Sequence, residues 1–70
     1  MSAQHIAQLT LEVWRASGAR TEQRRDSLLE RYAETYYGPS SQWNHAIRSE
    51  VDTARLLTRQ RTRIDELLYV

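Results

Sequence analysis

The sequence predicts an all-α protein, one domain of three helices spanning residues 1–70. In three segments apolar side chains recur every three to four residues, which is the spacing of one face of a helix. The two glycines of the chain, Gly18 and Gly38, stand between these segments, where glycine commonly ends a helix. No segment alternates apolar and polar residues as a half-buried strand does. The pattern therefore predicts a short, a second short and a long helix, with antiparallel neighbours joined by tight connections.

The first two helices are expected at Ser2–Ala16 and Glu22–Tyr37. Thr21 is a suitable N-cap for the second helix, because its hydroxyl can accept a hydrogen bond from a free N–H of the first turn. Gly38, followed by proline, ends that helix, since proline cannot continue the hydrogen-bond ladder. One apolar stripe of the first helix consists of Ile6, Leu9, Val13 and Ala16.

The third helix is expected at Ser41–Leu68, capped by Ser40 or Ser41. It makes seven to eight turns and is roughly 40 Å long at ~1.5 Å per residue, about twice the length of either other helix. Such a helix overhangs the other two or pairs with a second copy of itself. A chain of 70 residues has a marginal core, which also favours a homodimer.

Composition argues against catalysis and against a bound metal or cofactor. The absence of cysteine excludes disulfides, thiolate metal ligands and a cysteine nucleophile. His5 and His45 lack the spacing of a metal motif, and both glycines are explained as helix stops, which leaves no Gly-rich phosphate loop. We therefore predict a protein that is not an enzyme and that acts by binding another macromolecule.

Charge and hydropathy bear on partners and location. The formal net charge of +1 gives no overall attraction to nucleic acid or to an anionic membrane. No basic and apolar leader opens the chain, and no apolar run approaches the ~20 residues of a membrane span. All ten basic residues are arginine, as in a GC-rich genome or in a chain that uses guanidinium groups at interfaces. The expected location is a bacterial cytoplasm, without membrane association.

The most informative pattern lies on the third helix, where Glu50 and Arg61 interrupt an otherwise apolar stripe. A buried, unpaired charge is costly, so each of the two requires a partner or access to solvent. Two antiparallel copies of the helix satisfy both, because Glu50 of each copy then meets Arg61 of the other. The apolar members of the stripe are Trp43, Ile47, Ala54, Leu57, Ile64 and Leu68.

The same register aligns Ile47 with Ile64, so we predict that this stripe is a homodimer or partner interface. Tyr37, beside the apolar face of the second helix, is a further interface candidate, since tyrosine is enriched at protein interfaces. The alternative is that both charges turn outward or pair within the monomer, for example with Arg25 or Glu12.

A second stripe of the third helix carries Arg48, Arg55, Arg59 and Arg63, which could follow a phosphate backbone. Asp52 and Glu66 share that stripe, and Arg48 with Asp52 and Arg63 with Glu66 have the spacing of intrahelical ion pairs, which would cancel part of the positive charge. Nucleic-acid binding is therefore the alternative rather than the main hypothesis.

The sequence thus predicts a protein-binding adaptor or inhibitor. Its size and style are similar to those of small phage proteins that block or redirect a host or viral protein, although no specific motif carries that similarity. The alternatives are a small DNA-binding transcriptional regulator and an assembly component of a larger particle. The sequence does not identify the target protein.

Overall fold

The computed structural model describes residues 2–67 in full and the backbone of Leu68, and this range is all-helical. The helices are α1, Ala3–Ala16, α2, Glu22–Tyr37, and α3, His45–Leu68, with a 3₁₀ turn at Ser40–Gln42. No strand occurs in this range. The predicted short, short and long helices are confirmed, and the first two lie within one residue of their expected bounds.

Local side-chain and glycine chemistry explains where the first two helices begin and end. The hydroxyl of Ser2 accepts the N–H of His5 at 3.3 Å, and that of Thr21 accepts the N–H of Arg24 at 3.2 Å. Past the ends of α1 and α2 the chain takes positive φ values of 78° and 89° at its two glycines. A residue with a Cβ adopts such values only with strain, so the predicted helix stops are confirmed.

The start of the third helix was predicted wrongly. It begins at His45 rather than at Ser41, and neither serine of the predicted pair caps it. Asn44 is the cap, because its side-chain oxygen accepts the N–H of Ile47 at 2.9 Å. The chain after the proline first forms the 3₁₀ turn, and Trp43 is then extended (φ −70°, ψ 130°). Trp43 therefore lies before α3 and not on its stripe.

The three helices form an up-down-up bundle measuring 40 × 19 × 18 Å. At one end the N–H of Ala3 contacts Glu50, and at the other Arg15 and Asp65 form an ion pair. These two contacts show that α1 and α3 run in the same direction. The short connections return α2 between them in the opposite direction, so consecutive helices are antiparallel, as predicted.

The core lies along one side of α3. That helix contributes Val51 and Ala54 together with two threonines, Thr58 and Thr62. The Thr58 hydroxyl donates to the carbonyl of Arg55 at 2.8 Å and the Thr62 hydroxyl to that of Thr58 at 2.7 Å, so neither is left unsatisfied. From the other two helices the buried apolar residues are Ala3, Ile6, Ala7, Leu11, Trp14, Leu29 and Ala33. Ile47 and Leu57 of α3 are partly buried against this core, whereas Leu56, Ile64 and Leu67 lie elsewhere on the helix.

Candidate interaction face on the third helix

Three large apolar side chains of α3 lie on a part of the helix that neither α1 nor α2 covers. Leu56, Ile64 and Leu67 are 59%, 56% and 71% exposed, which makes them three of the most exposed large apolar residues of the described chain. They belong to a series of exposed, uncharged residues spaced three or four apart, which therefore share one side of the helix. We call this series the outer face: Ser49, Thr53, Leu56, Gln60, Ile64 and Leu67.

The polar members of the outer face do not make it strongly hydrophilic. The Thr53 hydroxyl donates to the carbonyl of Ser49 at 2.9 Å within the helix, so its hydrogen is not offered to a partner. The backbone N–H and C=O groups beneath the face are bonded along the helix. A partner would therefore meet side chains alone, with Gln60 as the one long polar group.

The predicted stripe and the outer face differ in position on α3. Ala54 is 0% exposed, so its inclusion in the predicted interface is wrong, because the monomer already buries it. Ile47, Leu57 and Trp43 are partly buried and pack against the core cluster. Ile64 is the predicted residue that the structure leaves widely exposed, and the side chain of Leu68 lies outside the described residues.

Glu50 finds a partner inside the monomer. Its Oε2 accepts the backbone N–H of Ala3 at 3.1 Å, which satisfies one of the free N–H groups at the start of α1. A carboxylate at this position also interacts favourably with the positive end of the helix dipole. Glu50 is exposed and Arg61 is partly buried, so the premise that both stand in the middle of a dry face is wrong. The alternative of an intramolecular partner is correct for Glu50, but the partner is a backbone N–H.

Tyr37 and Trp43 lie together near the end of α2. Both are partly buried against the core, and the indole N–H of Trp43 donates to the carbonyl of Gly38 at 2.8 Å. The ring of Tyr37 packs edge-to-face on Tyr36 with centroids 4.8 Å apart. Burial, and next the nearby charges of Glu50 and Tyr36, raise the pKa of the Tyr37 hydroxyl above its ordinary value. Tyr37 is thus tied to the monomer on several sides.

Two of the four arginines in the predicted nucleic-acid stripe are engaged by acids. Arg55 contacts Asp52 at 3.3 Å, and Arg59 contacts Asp26 of α2 at 3.8 Å. Arg48 and Arg63 are exposed and have no carboxylate within 4.0 Å in the part of the chain that the structure describes. The predicted pairs of Arg48 with Asp52 and of Arg63 with Glu66 do not form there, although acids neutralise half of the stripe as expected.

Arg25 is a buried residue that sequence reasoning treated only as a possible partner for Glu50. It is 3% exposed, and its guanidinium carbon lies 5.8 Å from the ring centre of Trp14. One of its terminal nitrogens is 3.4 Å from Asp26, while its Nε has no hydrogen-bond partner. Arg25 stands where the apolar face of α2 requires a residue, so its long aliphatic part fills core space between the helices.

The described residues contain no group of three histidine or acidic side chains that could hold a metal ion. In the same range, no helix is both long and apolar enough to cross a membrane. Comparison of the chain with protein-family models, with curated proteins and with solved structures gave no match. The side chains described above therefore carry the functional inference alone.

Proposed function

We propose that this chain is a non-enzymatic protein-binding module that acts through the outer face of α3. The observation that carries the proposal is the position of Leu56, Ile64 and Leu67, each more than half exposed on one uncharged side of the longest helix. Exposed apolar residues scattered singly are common, but several large ones on a single uncharged helix face bordered by charges favour an interaction site.

The shape of the face favours a helical partner. Its residues recur at three- and four-residue spacing over about 27 Å at ~1.5 Å per residue, as anchors do when one helix packs along another. Strand addition does not suit it, because the backbone of a helix has no free edge to offer. Within this proposal the chain is an adaptor or inhibitor encoded by a phage and acting in the bacterial cytoplasm.

The experiment is affinity capture from lysate with the tagged full chain, followed by titration of the purified captured protein. A triple variant, Leu56→Gln, Ile64→Gln and Leu67→Gln, should lose the captured protein while remaining folded. Arg31→Asp on α2, an exposed residue away from the face, is the matched control and should retain it. Capture that is equal for both variants would contradict the proposal.

A binding experiment with DNA distinguishes this proposal from its main alternative, nucleic-acid binding. Duplex DNA should bind the chain weakly, and replacing Arg55 and Arg59 with glutamine should leave capture unchanged, since acids already contact both arginines. Phosphate contacts would instead give an affinity that falls steeply with salt concentration. Tight, salt-dependent DNA binding that the double glutamine variant abolishes would replace the proposal with a DNA-binding regulator.

A further inference from the structure

We infer that the outer face of α3 pairs, antiparallel, with the outer face of a second copy of this chain, centred near Leu56 and Leu57. The inference rests on the proposed function, because it names the partner of that same surface. It also replaces the register expected from the sequence, in which the buried Ala54 took part, with one built from exposed residues.

Side-chain sizes along α3 favour this arrangement. The N-terminal half of the exposed side carries Ala46, Ser49 and Thr53, whereas the C-terminal half carries Ile64 and Leu67. An antiparallel register that places Ser49 opposite Ile64 of the second copy also places Ala46 opposite Leu67. Ile64 and Leu67 then each meet a small side chain, and Leu56 meets leucine of the second copy at the centre of the pair.

The charges along α3 favour the same direction. Its N-terminal half carries Glu50 and Asp52, while residues 53–64 contain arginines and no acid. Arg61 and Arg63 border the outer face on opposite sides, and neither has a carboxylate within 4.0 Å among the described residues. In the antiparallel register Glu50 comes beside Arg61 of the second copy, and Asp52 comes within a turn of its Arg63. A parallel pair would instead align arginine with arginine.

These ion pairs lie at the exposed rim of the interface. Asp52 is widely exposed and also contacts Arg55 at 3.3 Å, and one carboxylate oxygen of Glu50 already accepts the N–H of Ala3. Rim charges determine direction and register more than affinity. The affinity comes from burying Leu56, Ile64 and Leu67, which the monomer leaves in water.

Sedimentation equilibrium of the full chain, up to about 1 mM, tests the inference by charge reversal. Asp52→Arg and Arg63→Asp should each weaken association by about tenfold, because each puts two like-charge contacts into the symmetric interface. The double swap should restore association to within about threefold of the wild type. Arg31→Asp, on α2, makes the same change in charge as Arg63→Asp and should leave association unchanged.

The outcomes distinguish this inference from the proposed function. Ile64→Asp should abolish association while leaving the unfolding transition of dilute protein nearly unchanged. A wild type that stays monomeric overturns the second copy as partner and leaves the capture experiment to decide the proposed function. A dimer that persists in Ile64→Asp overturns the outer face as its interface, and a double swap that rescues nothing overturns the antiparallel register.

Discussion

The buried side and the exposed side of α3 differ in composition. The side toward α1 and α2 carries the buried Val51, Ala54 and two threonines, together with the partly buried Ile47 and Leu57. The outer side carries leucine and isoleucine and is open to water. Burial on α3 is thus decided by what the other two helices can reach, and the small residues are where helices approach closely. The exposed leucines and isoleucine are the basis of the proposed interaction face.

The largest expected difference between the two sides comes from one matched substitution. Leu29→Ala should lower the free energy of unfolding by about 2–5 kcal/mol, because Leu29 is 0% exposed and its loss leaves a cavity. Leu56→Ala, on the outer face, should cost less than about 1 kcal/mol in dilute protein. Urea unfolding of both variants measures the difference. Equal losses would mean that Leu56 belongs to the fold.

The second prediction concerns the buried charge at Arg25. Arg25→Ala should destabilise the bundle by about 1–3 kcal/mol, because it removes packing against Trp14. Arg25→Met should be neutral or stabilising, since a chain of similar length fills the space and the unpartnered Nε disappears. Thermal unfolding compares the two. A methionine variant that is as unstable as the alanine variant would show that the charge itself is required.

Glu50 lies between the buried side and the exposed side of α3. Glu50→Ala should cost about 1 kcal/mol, because the N–H of Ala3 loses its acceptor and the start of α1 loses a favourable charge. Glu50→Gln should cost less, since the amide oxygen still accepts that hydrogen bond. Glu30→Ala, at an exposed position of α2, is the control in urea unfolding. If Glu50→Ala and the control behave alike, Glu50 does not hold α1.

The smallest effect is a dependence on pH at Tyr37. Its pKa is raised in the folded protein, so the unfolded chain loses this proton first as the pH rises. The free energy of unfolding should therefore decline above about pH 10, the usual tyrosine pKa, and be unaffected by this group below it. Tyr37→Phe should reduce that decline, whereas Tyr32→Phe leaves the group in place. An unchanged slope in Tyr37→Phe would contradict the raised pKa of the Tyr37 hydroxyl.

Helix positions could be predicted from the sequence because local chemistry decides them, as at Thr21 and the two glycines. The start of α3 could not, since Asn44 and the two serines are all good caps and the path after the proline decides among them. The predicted interaction stripe included Ala54, which the monomer buries, whereas the widely exposed leucines lie on another side of the same helix. The apolar stripe predicted from the sequence left out Thr58 and Thr62, whose hydroxyls bond within the helix and which lie in the core.

The central claim is that the outer face is dispensable for the fold and required for association. Urea unfolding of the wild type and of the Leu56→Gln, Ile64→Gln, Leu67→Gln variant, each dilute and concentrated, tests it directly. In dilute protein the free energies of unfolding of the wild type and the variant should agree within about 1 kcal/mol. At high concentration the wild type alone should become more stable, because association stabilises the folded state by mass action. A variant that is much weaker at every concentration, or a wild type whose stability never changes with concentration, would contradict the account.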